Sequence, residues 1–438
     1  MQYIPNILFL IILVLGVGYF TLNIKKLIRN IKLGRAVDAS DNKSERWRNM
    51  ARIALGQSKM VKRPIAGFLH IVVYVGFIII NIEVLEIIID GLFGTHRIGL
   101  KVLPESVYGF LIGSFEILAV LVLVSVVIFW LRRNVIKLKR FLSSEMKGWP
   151  KSDGNIILYF EVVLMCLFLV MNATDTTFQN LGHGNVISQF IAPWFSSLSE
   201  GTLHVIERTA WWIHIAGILV FLNYLYFSKH LHILLAFPNT YFGSVQPKGK
   251  FNNLEAVTNE VKLMMDPNAD PFAAAPEGAE EEEPAKFGAS DVMDLNQIQL
   301  LNAYTCTECG RCTSACPANL TGKKLSPRKI MMDTRDRLEE VGKNIDANGG
   351  EFKDDGKQLL GDYITNEELW ACTTCNACVE ECPVSINPLS IILEMRRYLV
   401  MEQSAAPMEL NNMMTNIENN GAPWPYNQMD RLNWANEE

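Results

Sequence analysis

No histidine follows His232, and only one cysteine, Cys166, precedes Cys306. The two halves of this 438-residue chain therefore carry different chemistry. A lone cysteine excludes a disulfide framework within the first half. Neither a G-x-G-x-x-G strand–helix unit nor a P-loop is present, so the chain has no sequence signature for a dinucleotide or nucleoside triphosphate. Basic residues are sparse in two connections between apolar runs: Arg97 and Lys101 in one, Arg208 in another.

What is present in residues 1–237 is apolar length. Runs at about 5–24, 65–89, 107–131 and 211–237 reach the roughly 18–20 residues that cross a bilayer, and a shorter one lies at about 155–173. Basic residues follow the first run instead of preceding it, and no small-residue cleavage site is seen, so it reads as an uncleaved anchor. The connection 25–64 holds twelve Lys and Arg and 132–154 holds seven. The positive-inside rule then puts the N-terminus outside and everything after the fifth helix in the cytoplasm, in an inner-membrane protein.

Residues 266–290 are rich in Pro, Ala, Gly and Glu and read as a flexible acidic tether. Beyond it stand two matching strings, CTECGRCTSACP and CTTCNACVEECP. Each is C-x2-C-x2-C-x3-C-P, the spacing of paired [4Fe–4S] cubanes whose fourth cysteines cross over. One cluster is expected on Cys306, Cys309, Cys312 and Cys382, the other on Cys372, Cys375, Cys378 and Cys316. The 55 residues between the strings carry helical signals, with a Ser-Pro start at 326–327 and an Asn cap at Asn366. The tail after 404 looks irregular, and its Trp424, Tyr426 and Trp434 suit a partner contact.

The histidines pose the remaining question. His70 and His232 each lie about five residues from the cytoplasmic end of an antiparallel helix, which suits bis-imidazole ligation of a b-type haem. On one continuous helix 211–237, His214 lies on the same stripe as His232, about 27 Å away. His230 points elsewhere and is the alternative ligand or an interfacial side chain, with Lys229 as an interface anchor. His96, His183 and His204 read as loop residues, Cys166 as a buried thiol, and Trp194, Trp211 and Trp212 as an outer aromatic belt. Glu83, Glu86, Glu116 and Glu161 sit within helices and are candidates for a proton path.

The five-helix plan, WWIH…SKHLH and two His 18 residues apart resemble the gamma subunit of respiratory nitrate reductase. With the cysteine strings they resemble the heterodisulfide reductase-related membrane iron–sulfur oxidoreductases, including those that link electron-transfer flavoprotein to menaquinone. The nitrate reductase resemblance implies two haems, held by two His on helix 2 and two on helix 5. Here Ile80 stands ten residues after His70, so one haem is expected and two are the alternative. His214 is then a second-haem or quinone residue, with His183 or His204 as possible partners.

The fold expected is all-α: a five-helix membrane domain over 1–237, a linker over 238–292, an α-helical dicluster ferredoxin unit over 293–403 and a tail over 404–438. The resemblance implies a membrane-bound, quinone-linked oxidoreductase subunit, active in a complex with a CCG-domain subunit and a flavoprotein donor. The alternative is a haem-free iron–sulfur anchor or scaffold of a lactate, glycolate or heterodisulfide-type oxidoreductase.

Overall fold

The computed structural model describes residues 3–247, 249–267 and 286–436. Among them no strand is formed. Five helices are long and apolar enough to cross a bilayer: α1 (Ile4–Lys32), α2 (Pro64–Phe93), α3 (Glu105–Asn134), α4 (Trp149–Thr174) and α5 (Glu200–Tyr224). They pack in a ring, α1 on α2, α2 on α3, α3 on α4, α4 on α5 and α5 back on α1. Each helix satisfies its backbone within itself, as a bilayer demands. Glycine permits the closest approaches: a Cβ on Gly76 would stand 2.4 Å from Val122, and one on Gly91 would stand 2.6 Å from the Phe9 ring.

The fifth span differs from the expected 211–237. It begins at Glu200, capped by the Ser199 side chain, and its helix continues as one 3-10 turn to Phe227. Ser228 is extended (φ −120°, ψ 147°) and breaks the run. A second 3-10 turn, Lys229–Leu231, leads into α6 (His232–Tyr241). The break has an identifiable organiser. Asp153, buried in the first turns of α4, accepts hydrogen bonds from the Tyr224 hydroxyl (2.6 Å), the Ser228 hydroxyl (2.7 Å) and the Lys229 backbone N–H (3.2 Å). His214 and His232 therefore lie on different helices, and the shared stripe does not exist. His204 sits on α5 and not in a loop.

The ferredoxin unit contains α7 (Gln297–Thr305), α8 (Arg311–Ala315), α9 (Pro327–Ala347), α10 (Asn366–Trp370), α11 (Ala377–Glu381) and α12 (Pro388–Met401). Helix α9 starts at the Ser-Pro pair, with Ser326 as cap. The cap of α10 is Thr365, which forms a capping box with Glu368, so Asn366 is the first helical residue instead of the cap. Phe221, Leu225 and Leu231 of the membrane half share one apolar core with Leu300, Tyr304 and Ile330 of the ferredoxin half. The unit is thus seated on the bundle and not merely tethered to it.

Three further expectations change. Most of the acidic tether lies outside the described residues, but Ala289 and Val292 at its end are fully buried in the ferredoxin core. The tail contains α13 (Met408–Asn420); Trp424 and Trp434 after it are exposed. Cys166 faces outward from the bundle.

Candidate redox centre

The cysteine loops are built by one repeated backbone device. Between the first and third cysteines of the first string, Glu308 (φ 53°) and Gly310 (φ 71°) are left-handed. The second string has Thr374 (φ 55°) and Asn376 (φ 60°) at the same places. Left-handed backbone is costly outside glycine and tolerated by asparagine. Here it curls each loop so that its thiols converge. Each loop then enters a short helix, α8 or α11, and each fourth cysteine ends that helix in extended backbone.

One cavity is lined by Cys306, Cys309, Cys312 and Cys382. Cys316 lies close enough to Cys372 and Cys378 for their charges to interact. The structure therefore brings together the two expected sets of four, each with its crossed-over member. Burial pushes the Cys306 and Cys378 thiols up to about 12 and Cys382 up to about 11. Thiols so buried become thiolates only against bound metal charge, which couples cluster binding to folding. The Ile386 N–H lies 3.3 Å from Cys382 Sγ and the Thr374 N–H 3.4 Å from Cys372 Sγ. Such donors tune cluster potential.

The histidines gather beside this unit. The His70 and His232 rings face each other with centroids 6.4 Å apart. Two imidazoles on opposite sides of one metal, each with a metal–nitrogen bond of about 2.0–2.1 Å, have centroids about 6 Å apart. His232 Nδ1 is 3.1 Å from the Lys229 carbonyl, the kind of hydrogen bond that orients a metal-ligating imidazole. Its Nε2 is not used by that contact. His70 Nδ1 is buried without a partner among the described residues. His230 lies against His232 (5.4 Å) and Phe221 (5.4 Å). These side chains fit one bis-histidine haem.

His214 is apart from this pair. It is buried with its ring 6.4 Å from Phe168, and its Nδ1 has no partner among the described residues. His183 rests on the Leu181 (2.7 Å) and Glu105 (3.2 Å) carbonyls. His204 is exposed and reaches towards Glu207 at 3.9 Å. Both histidines are thus engaged away from His214.

Several residues that hold the site together carried no sequence signal of their own. Lys229 is not an interface anchor. Its ammonium is nearly buried, ion-paired with Glu308 of the first cysteine loop and bonded to the Pro150 carbonyl at 2.7 Å. Arg335 holds the other Glu308 oxygen at 2.8 Å. Burial works against the Glu308 carboxylate, yet Lys229 and Arg335 hold its pKa below the ordinary value. Arg311, next to Cys312, donates to the Lys59 carbonyl at 3.0 Å, just before α2. Fully buried Arg328 reaches Glu145 (2.8 Å) and the Arg140 carbonyl (2.7 Å). Asp153 could have been suspected as a lone acid opening an apolar run.

The opposite end of the bundle holds a separate polar network. Arg97 donates to Asp175 (2.6 Å) and Asn172 (2.8 Å), and Asn172 donates to Glu116 (3.1 Å). Glu116 also accepts from the Ile187 and Ser188 N–H groups, at 2.7 and 3.0 Å. Glu86 accepts from Tyr108 and the Gly99 N–H. These two carboxylates tie loops to the bundle. Glu83 is buried, with one oxygen unpartnered among the described residues. His96, Asp175 and Glu207 converge there, but Arg97 and Arg208 already neutralise both carboxylates.

Fold and site define a membrane-bound iron–sulfur protein with a dicluster unit seated on a five-helix bundle. Residues 305–386 match the family model described as a 4Fe-4S dicluster domain. The chain is 30% identical, over 98% of its length, to the probable iron-sulfur-binding oxidoreductase FadF of Bacillus subtilis, and covers 61% of that protein. It is 27% identical, over 88% of its length, to the EtfAB:quinone oxidoreductase of Syntrophomonas wolfei, and covers 53% of it. One subunit of the ferredoxin/F420H2-dependent CoB-CoM heterodisulfide reductase of Methanosarcina acetivorans is 34% identical over 27% of this chain and 60% of its own length. The chain is thus similar to iron–sulfur oxidoreductases over nearly its whole length and to a heterodisulfide reductase subunit over about a quarter of it, and it spans between about half and three fifths of the length of the first two proteins. No solved structure matches.

Proposed function

We propose that this chain passes electrons between a soluble redox partner and the quinone pool, as the membrane subunit of a quinone-linked oxidoreductase. The observation that carries the reading is the seating of the first cysteine loop on both histidine-bearing segments. Glu308 grips Lys229, three residues before His232, and Arg311 grips the turn that starts α2 and leads to His70. Bound [4Fe–4S] clusters and haem b supply one-electron redox chemistry that no side chain here can. Cys306, Cys309, Cys312 and Cys382 would hold the cluster nearer the histidines. Cys372, Cys375, Cys378 and Cys316 would hold the other. Cys375 is exposed, which supports the second set as the one a soluble partner would approach.

His70 and His232 would hold a single haem, next to the apolar core that contains Phe221 and Leu231. The partner we favour is a flavoprotein such as electron-transfer flavoprotein, reached through CCG domains. One relative's name, EtfAB:quinone oxidoreductase, supports this donor and a quinone such as menaquinone. The loop charges support an inner-membrane protein with the ferredoxin unit in the cytoplasm.

The test is a reduced-minus-oxidised spectrum of the purified protein with iron and sulfide analysis. A b-type band is expected, lost in His70→Ala and His232→Ala and retained in His230→Ala and His214→Ala. Absence of the band from the parent protein would favour the haem-free anchor. Quinone reduction or quinol oxidation by the native complex, blocked by a quinone-site inhibitor, tests the substrate.

A further inference from the structure

A cleft of about 600 Å³ opens where α2, α3 and the ferredoxin unit meet. Five cations line it, Lys62 and Arg63 before α2, Arg132 near the end of α3, and Lys139 and Arg140 just beyond, and no carboxylate does. Lys62 and Arg63 are partly satisfied by Glu380 (2.7 Å) and Glu381 (3.2 Å) of the ferredoxin unit. Arg132, Lys139 and Arg140 form no ion pair among the described residues, and Arg140 Nε is buried without a hydrogen-bond partner. The Arg140 guanidinium also lies over the Phe141 ring (5.0 Å) and near Cys309, whereas the Arg132 and Lys139 charges face the cleft with no carboxylate in its lining, so the cleft is suited to an anion it does not itself supply.

The surroundings say which anion. Ile65, Phe68, Val135 and Ile136 are exposed beside the cleft, at the ends of two membrane helices. Apolar chains can lie along them while an oxyanion sits among the cations. We propose that this cleft binds the phosphate of an acidic phospholipid headgroup, at the joint between bundle and ferredoxin unit. Basic pockets between membrane helices suit such headgroups, and Arg and Lys supply forked and point-charge contacts to phosphate oxygens. Ser314, between Cys312 and Cys316, also lines the cleft. The lipid would therefore bridge the bilayer to the first cysteine loop. The proposal does not rest on the redox reading above.

The experiment uses the full chain purified in detergent, delipidated and titrated with phosphatidylglycerol, phosphatidylcholine or inorganic phosphate, with bound lipid counted by native mass spectrometry. Phosphatidylglycerol should be retained and phosphatidylcholine should not. Arg132→Gln/Lys139→Gln should bind phosphatidylglycerol about tenfold or more weakly. Lys147→Gln/Lys151→Gln, which removes two exposed charges nearby but outside the cleft, should bind like the parent. If the double variant does not fold, Lys139→Glu on the exposed lysine serves in its place with the same expected direction. Equal lipid retention in cleft and control variants overturns the proposal. So does displacement of the lipid by inorganic phosphate at equal concentration, which would make this a free-anion site. Loss of a haem band from the cleft variant with lipid binding unchanged also overturns it, because the cations would then serve haem carboxylates.

Discussion

The Lys229 ammonium and the Glu308 carboxylate form a nearly buried ion pair that joins the turn before His232 to the loop between Cys306 and Cys309. Breaking a buried pair costs more than the pair itself contributes, because the surviving charge is stranded. Arg335 still holds Glu308 when Lys229 is removed, so Lys229→Met should cost about 2 kcal/mol, below the full value for an isolated pair. The temperature at which iron–sulfur absorbance is lost should fall. A double-mutant cycle with Glu308→Gln should show coupling between the two sites; strictly additive effects would mean that the contact does not hold the unit in place.

Glu145 gives the joint a pH dependence. Burial works against its carboxylate, but the Arg328 guanidinium and the Ser326 hydroxyl hold its pKa below the usual value. A depressed folded pKa stabilises fully above the ordinary value of about 4.3 and stops doing so as pH falls through the lower folded value. Glu145→Gln should loosen the joint by about 1–3 kcal/mol near neutrality. Hydrogen exchange in segments 143–147 and 326–330 should rise in the variant, and its difference from the parent should shrink in acid. A difference that does not change with pH would rule out this carboxylate as the cause.

Gly342 is where α9 meets α1. A Cβ there would stand 2.4 Å from Asn30 Nδ2, and Asn30 is locked by Tyr304 (3.0 Å) and Arg29 (2.9 Å). Gly342→Ala should therefore destabilise by about 1–3 kcal/mol despite its better helix propensity. Adding Asn30→Ala should restore part of the loss in the same thermal assay. If Gly342→Ala is neutral or stabilising, the approach of the two helices is looser than the structure has it.

The crossed cysteines can be separated by spectroscopy. Cys382→Ser should lose the same reduced-cluster paramagnetic signal as Cys309→Ser. Cys316→Ser should match Cys375→Ser. Grouping by string, with Cys382 alongside Cys375, would refute the crossed ligand sets.

Five membrane helices were legible because apolar length and loop charge are local properties, each readable within a few tens of residues. The cysteine strings were legible for the same reason, since metal-ligand spacing is written along the chain. His70 and His232 could be matched in depth by counting from helix ends, and the structure brings those two rings together. The path of the fifth span could not be read. Residues 211–237 read as one long, mainly apolar run, and the carboxylate that accepts from the Ser228 hydroxyl at the break, Asp153, is more than 70 residues away in sequence. That one long-range carboxylate also separates His214 from the His232 segment. Lys229 read as an interface anchor because it stands near the end of a long apolar run, whereas its partner Glu308 comes from the other half of the chain. Composition and spacing determined the kinds of element and the metal-ligating residues by themselves. Which charges are buried, where the last helix breaks and how the ferredoxin unit sits were decided by tertiary contacts, because their partners are distant in sequence and become neighbours only on folding.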